Sequence, residues 1–469
     1  MPLLATVAGI RGVFGDGLDP GALVRYAAAF GSWLARQTER RPLVVVGRDG
    51  RVTGDVCARI VTATLQSVGC DVVDGGLATT PSVAMGVLKH RADGAVILSA
   101  SHNPAEWNAL KLLDRRGEFL GPDEGAEVLA LAEGGASDET VAGQTVRYDA
   151  LGDYRTDDLL PYHVEKILAL PFIDAEAIRA RGFRVVVDAV NSVGAFAIPA
   201  LLAALGVTDV EVLNADVTGR FAHDPEPLPA NLGQITARVR ETGADLGIVV
   251  DPDVDRLAFV EDGGRFLGEE LTQVVAADFI LGKTPGPVAT NLSSSRAIED
   301  VAARYGQTVE RSMVGEIHVV RAMQRVGAVV GGEGNGGVIV PGLHYGRDAL
   351  VGVAIVLQHL AETGLSLSET RAGLPVYAIA KHKVALTPAM DARALLAAYA
   401  DHAQSQTGAR VSTVDGVKVD TDAGWVHVRA SNTEPILRIY TEAATADAAE
   451  ALAAAAEADL LGGGAAGGR

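Results

Sequence analysis

The chain has 469 residues, of which 48% are hydrophobic, and a formal net charge of -19 at pH 7. That length and apolar content fill the cores of about three or four domains at ~100–200 residues each, while so large an acid excess opposes general binding to nucleic acid or to anionic membranes, which need clustered Lys and Arg. The apolar runs are short and interrupted, no basic segment precedes a long apolar core, and the only cysteines, Cys57 and Cys70, lack metal-ligand spacing. No signal peptide or membrane span is therefore expected, and the cytoplasm is the expected location.

Taken in order, residues 43–46 read as a strand and GRDGRVTG as the loop after it. Residues 55–68 place Val56, Ile60, Val61, Leu65 and Val68 at helical spacing, and Gly69 supplies a stop. A strand in CDVVDGG, a helix after Pro81 and a buried strand over 95–98 follow. Successive β-α-β units call for a mostly parallel sheet with helices on both faces. The pattern returns at FRVVVDAVNS, with a helix over 194–205, a strand over 210–213, a helix over 235–242 and a strand over 246–250. A third copy starts at PVATNLSSSR, where Ser293 to Ser295 are expected to cap a helix over 296–305 ahead of a strand over 308–310. From about Leu374, KHKVAL, GWVHVRA and ILRIYTEA alternate like exposed antiparallel strands, and 392–404 and 446–460 read as helices, which makes an α+β module. The expected domains are 1–152, 153–262, 263–373 and 374–469.

Four stretches carry chemistry. In VILSASHNP a buried strand breaks into a loop at its carboxyl end, where open α/β sheets meet their ligands, and Ser101 is the candidate nucleophile. In GIVVDPDVDR, Asp251, Asp253 and Asp255 recur at every second residue, so an extended backbone would turn three carboxylates the same way, and a hard divalent cation would relieve their repulsion. An EF-hand is a poor fit, because its sixth position would be Arg256 and its twelfth Asp262, and Mg²⁺ fits better. Arg256 adjoins the cluster and is placed to hold a phosphate or steady a carboxylate. Arg11, between glycines in GIRG, is either a ligand contact or a surface residue; Arg48, Asp49 and Arg51 either brace one another or bind substrate. GGEGNGG, with Glu333 and Asn335, reads as a loop around a small polar ligand or as a linker. VRASNTEPILR gathers Arg429, Ser431, Asn432, Thr433 and Arg438 as a phosphate clamp or a capped turn.

In this order the four stretches, with the flanking GIRG, GRDGR and ATTP, resemble the motifs of the α-D-phosphohexomutase superfamily, which includes phosphoglucomutases, phosphomannomutases and phosphoglucosamine mutases. The resemblance implies an α/β fold of three related β-α-β mixed-sheet domains plus a C-terminal α+β domain around a central cleft. It implies a phosphoserine at Ser101, and Mg²⁺ held by a phosphoserine oxygen with Asp251, Asp253 and Asp255. Lys111 would be a general acid or base, with Arg11 and His102 beside it. Glu333 and Asn335 would grip sugar hydroxyls, while Arg429, Ser431, Asn432 and Thr433 hold the phosphate not being transferred; Arg256 and Arg438 join the substrate contacts. The implied reaction interconverts hexose 6-phosphate and hexose 1-phosphate through a hexose bisphosphate, in a monomer or homodimer whose partners are sugar phosphates.

Departures from the family pattern are Ala109 and Pro252 where many relatives have Gly, Asn335 where many have Ser, and Gly337 where some have His; His318 or His344 would stand in for that histidine. Glu316 in SMVGEIH, with GEGNGG and HYGRDAL, favours a phosphoglucosamine mutase-like enzyme, since an acid near C2 would pair with an ammonium group. Phosphoglucomutase/phosphomannomutase is the alternative substrate reading. Outside the family, the rivals are an aspartyl-phosphate-type phosphatase using Asp251 and a sugar-phosphate binding protein without turnover.

Overall fold

A computed structural model of the chain describes residues 3–6, 9–134, 145–387, 390–431 and 435–463. They form two compact units: Met1–Lys283 with Asn335–Ala372, and Thr284–Gly334 with Gly373–Arg469.

The first unit begins with β1 (Leu4–Thr6), β2 (Gly9–Phe14), β3 (Gly17–Leu18), β4 (Leu43–Arg48), β5 (Asp71–Leu77), β6 (Gly94–Leu98), β7 (Trp107–Leu113) and β8 (Tyr154–Thr156). These make one sheet in the order β1-β2-β7-β6-β4-β5-β8, with β3 on β2. β4 runs parallel to β5 and β6, whereas β7 is antiparallel to β6 and to β2, so the sheet is mixed. Val44 and Val46 pack among Phe30 and Leu65 on one face, while Val45 packs with Val83 and Val87 on the other. Both faces are thus covered by helices, which is why the strand is continuously apolar rather than alternating. β5 and β6 lie on opposite sides of β4, so the connections reverse there and open a crevice at the carboxyl ends of β4 and β6.

The same reversal recurs. β9 (Arg184–Asp188), β10 (Asp209–Leu213), β11 (Leu246–Val250) and β12 (Leu257–Glu261) form a sheet ordered β10-β9-β11-β12, in which only β12 is antiparallel. The chain then enters the second unit with β13 (Val288–Asn291), β14 (Val309–Ser312) and β15 (Val330–Glu333), where β13 pairs in parallel with both neighbours. It returns to the first unit with β16 (Gly337–Ile339) and the helix Ala349–Thr363. It finishes in the second with β17 (Ala378–Ala385), β18 (Arg410–Ser412), β19 (Val417–Asp420), β20 (Gly424–Ala430) and β21 (Ile436–Ala443), an antiparallel sheet ordered β17-β21-β20-β19-β18. Val384, Val428, Leu437 and Ile439 from that sheet meet Tyr399, Ala456 and Leu460 from its two helices.

One local expectation fails. The third-copy helix is Ala297–Arg304 and its N-cap is Arg296, not a serine. Ser293 Oγ is drawn to His427 Nδ1 at 2.8 Å and Ser294 Oγ to Thr290 and Asn291, and only Ser295 Oγ accepts from the helix, at Ala297 N. Tertiary partners outcompete the local cap.

Candidate active site

Each reversal places a motif loop at the carboxyl end of a strand that neighbours the strand where the connections reverse. The serine loop leaves β6, the aspartate loop leaves β11, and Glu333 closes β15. Ser101 sits at φ +50°, a left-handed conformation that costs a non-glycine residue about 1 kcal/mol or more. Arg51 holds it there. The guanidinium donates to the carbonyls of Ser101, Asn103, Pro104 and Trp107 at 2.5, 2.7, 2.6 and 3.0 Å, and its Nε donates to Asp49 at 3.0 Å. Arg51 and Asp49 are buried and paired, so of the two readings of GRDGR bracing holds for these two residues. Ser192 Oγ ties the two crevices together by accepting from Gly50 N and donating to the Pro252 carbonyl.

The three aspartates converge, but not on an extended strand. β11 ends at Val250, the Val254 N–H closes a turn on the Asp251 carbonyl, and Val254 takes φ +62°. Asp251 Oδ1 accepts from the N–H groups of Asp255 and Arg256, so the loop folds around that carboxylate. Asp251 Oδ2 is 2.6 Å from Ser101 Oγ. Asp253 Oδ2 accepts from Thr80 Oγ1 and Lys111 Nζ, both at 2.6 Å, and Asp255 Oδ2 from Arg347 at 2.8 Å. Asp253 Oδ1 and Asp255 Oδ1 are buried and have no hydrogen-bond partner. The triplet brings one oxygen from each carboxylate within 4.8 Å of the others. Buried anionic oxygens with nothing to satisfy them, in an all-oxygen set, fit a small hard divalent cation.

Charges around the triplet sort its members. Burial, with Asp253 and Asp255 adding to it, raises Asp251 well above the carboxylate range against the opposing Arg256 charge and Ser101 hydrogen bond. Burial pushes Asp253 the same way, but the Lys111 charge and the hydrogen bonds from Lys111 and Thr80 outweigh it and leave Asp253 low. Lys111, on β7, is opposed by burial yet held above its ordinary value by Asp253 and Asp255, so it keeps its proton. His102 is depressed to about 2 by burial and then by Arg256, Arg347 and Arg11, and is neutral. Arg11, on β2, is itself lowered by burial and by Arg256. Arg256 has Glu226 at 3.2 Å. Guanidinium groups crowded beside a neutral imidazole suit an anion in their midst.

In GGEGNGG, Glu333 Oε1 accepts from Asn291 Nδ2 at 2.9 Å and from Gly315 N at 3.1 Å. Asn335 Oδ1 accepts from Gly337 N at 3.3 Å. Gly336, at φ +86°, lies so close to the Leu257 carbonyl that a Cβ would stand 2.0 Å from its oxygen. The chain passes from the second unit to the first between Gly334 and Asn335, and on the first unit's side this close approach fixes the turn. His344 is committed elsewhere, buried with Nε2 3.2 Å from Asp348. Of the two histidines weighed for the sugar loop, only His318 has Glu333 and Asp415 as charged neighbours, and burial lowers it against them.

Asn432 and Thr433 of the fourth stretch lie outside the described residues. Arg429 and Arg438 stand opposite each other on β20 and β21, and Lys383 stands opposite Arg438 on β17. Three cations in one cross-strand row repel unless an anion joins them. Ser431 N donates to the Ile436 carbonyl, and Arg429 Nε is 3.4 Å from Asp415. Thr80, Arg347 and Lys383 were not picked out by sequence reading; their only signals are ATTP, HYGRDAL and KHKVAL, none spaced regularly from the residues they join.

The descriptions phosphoglucomutase/phosphomannomutase alpha/beta/alpha domain I, II and III and C-terminal domain match residues 3–138, 161–264, 268–377 and 382–458. A phosphoglucomutase/phosphomannomutase of Thermococcus kodakarensis is 37% identical over 437 residues, 93% of either chain. A "probable phosphoglucosamine mutase" of Methanopyrus kandleri is 36% identical over 455 residues, 95% of either chain. Among solved structures, a phosphoglucomutase/phosphomannomutase family protein from Burkholderia thailandensis superposes with TM-score 0.83 at 26% identity, covering 99% of this chain and 97% of that one.

Proposed function

The chain belongs to the phosphoglucomutase/phosphomannomutase family and is an isomerase of the phosphohexomutase type; on that premise we propose that Ser101 is its phosphoryl carrier and glucosamine phosphate its preferred substrate. One observation carries the first half: Ser101 Oγ lies 2.6 Å from Asp251 Oδ2, beside two buried carboxylate oxygens that lack partners. Phosphorylated Ser101 gives its phosphoryl group to a hydroxyl of the bound hexose phosphate. The phosphorus bond to Oγ breaks as the bond to the sugar oxygen forms, and a hexose bisphosphate results. The reverse transfer, from the other end of the turned bisphosphate, restores the phosphoserine.

Asp251, Asp253 and Asp255, with a phosphoserine oxygen, would hold Mg²⁺, which when bound offsets charge on the phosphoryl oxygens. Arg11, Arg256 and Arg347 supply further positive charge to the same oxygens. Lys111, kept protonated by its aspartates, is the proposed general acid and base: it gives its proton to the departing Ser101 Oγ and takes up the proton that the attacking sugar hydroxyl releases, so the transfer leaves it protonated again. His102, kept neutral, hydrogen-bonds the phosphoryl group without adding charge. Glu333 and Asn335 are assigned the sugar hydroxyls. Arg429, Ser431, Asn432, Thr433 and Arg438, with Lys383, are assigned the phosphate that is not being transferred, and free hexose bisphosphate acts as activator.

Glu316 supports the amino sugar, because an acid pairs with an ammonium group and not with a hydroxyl; the name of the Thermococcus relative supports glucose and mannose phosphates as the second reading. The aspartyl-phosphatase alternative draws no support from the relatives. A panel of glucosamine, glucose and mannose phosphates, run on phosphorylated enzyme with Mg²⁺, tests the substrate assignment. The specificity constant is highest for glucosamine 6-phosphate if it is right, and a larger value for glucose 1-phosphate overturns it.

A further inference from the structure

The loop that carries the aspartates is gripped by the starts of two helices. Thr80, the first residue of the helix Thr80–His90, donates its N–H to the Asp253 carbonyl at 2.9 Å. Ala349, the first residue of the helix Ala349–Thr363, donates its N–H to the next carbonyl, that of Val254, at 3.2 Å. First-turn N–H groups have no partner inside their own helix, so each is available for this use. The side chains repeat the pattern: Thr80 Oγ1 holds Asp253 Oδ2 at 2.6 Å, and Arg347, two residues before Ala349, holds Asp255 Oδ2 at 2.8 Å. The distance between the two helix starts therefore sets the distance between the Asp253 and Asp255 carboxylates.

A buried histidine spans that distance. The N-caps of the two helices are Thr79 and Asp348. Thr79 Oγ1 accepts from Ser82 N at 3.0 Å and donates to Ser82 Oγ at 2.8 Å, which leaves the Ser82 proton for His163 Nδ1 at 3.0 Å. His163 then donates from Nε2 to Asp348 Oδ2 at 2.8 Å, while Asp348 Oδ1 caps its helix by accepting from Leu350 N and Val351 N. His163 is 0% exposed, and it stands on a separate helix, Leu160–Leu168. We propose that His163 is a positioning residue for the metal site, clamping the caps of two helices so that Thr80 and Arg347 present the Asp253 and Asp255 carboxylates at the spacing a divalent cation requires. The inference rests on the reading of Asp251, Asp253 and Asp255 as metal ligands. Groups that orient ligands from behind typically change metal affinity by about 10–100-fold when removed.

Mn²⁺ binding to the full-length protein, followed by electron paramagnetic resonance, tests it with His163→Leu, His163→Gln and Ser82→Ala. His163→Leu is expected to weaken Mn²⁺ about tenfold, and His163→Gln, which keeps a donor toward Asp348, to weaken it less. The KM for sugar phosphate at saturating Mg²⁺ stays within about twofold, which separates positioning from general damage. If His163→Leu does not fold, Ser82→Ala carries the test, because it removes only the hydroxyl between Thr79 and His163. Folded His163→Leu or Ser82→Ala protein with unchanged Mn²⁺ affinity overturns the proposal while leaving the metal reading in place. Wild-type protein that binds no Mn²⁺, or binds it equally after Asp253→Asn, overturns the metal reading itself. His163, His344 and Asp348 also lie close enough to hold an ion of their own. One equivalent of zinc in the wild-type protein that is lost in His163→Leu would make this cluster a metal site and overturn the clamp.

Discussion

Arg51 and Lys111 are both buried cations, and their neighbours give them different work. Arg51 spends its donors on four loop carbonyls and on Asp49, so it shapes the backbone that presents Ser101. A lysine offers a point charge where that fork is needed. Arg51→Lys is expected to destabilise the protein by about 3–5 kcal/mol in urea denaturation, because it strands Asp49 and the carbonyls. Lys111 faces Asp253 and Asp255, and its ammonium, unlike the Arg51 fork, is the proton carrier proposed above. Lys111→Ala should lower kcat by about 10²–10⁴-fold with KM little changed, read in a coupled mutase assay. That Ser101, the aspartates and Lys111 lie together was legible from the order of their motifs along the chain. Thr80 and Arg347 were not, since their contacts join positions more than 90 residues from the aspartates and no local spacing encodes them.

Loops do their work here because the connections between parallel strands reverse their sense around β4 and again around β9. Hydrophobic periodicity predicted the β-α-β succession and most boundaries to within a residue or two, since buried strands and amphipathic helices announce themselves locally. Strand order did not show in the letters. Nor did the form of the aspartate loop: alternate aspartates satisfy an extended strand and a tight turn equally. Pro252, which fixes φ and lacks an N–H, was the residue that pointed to the turn. In GGEGNGG the constraint falls on one glycine. Gly336→Ala puts a Cβ 2.0 Å from the Leu257 oxygen and must displace the loop. It should raise KM for the sugar phosphate about tenfold or more and leave Mn²⁺ binding unchanged, as steady-state kinetics and metal titration would show.

The division into two units has thermodynamic consequences that differ between them. The aspartate site belongs wholly to the first, so a cation at ten times its Kd should stabilise that unit by about 1.4 kcal/mol, and hydrogen exchange should slow in residues 246–261 but not in 417–443. The second unit has a buried lysine: burial, with the Arg311 charge, depresses Lys418 to about 7 against the opposing Asp420, Glu299 and Glu442. Its folded value lies below the ordinary 10.5, so the folded state binds fewer protons between those values and stability rises with pH through that window. Between about pH 7 and 9.5 the wild type should gain about 2–3 kcal/mol relative to Lys418→Met, measured by urea denaturation. The central claim is that Ser101 carries the phosphoryl group. Incubating the protein with labelled hexose bisphosphate and mapping phosphopeptides tests it most directly. Acid-stable label on Ser101, absent from Ser101→Ala together with all mutase turnover, is the predicted result; hydroxylamine-sensitive label on Asp251, or undiminished turnover by Ser101→Ala, would contradict it.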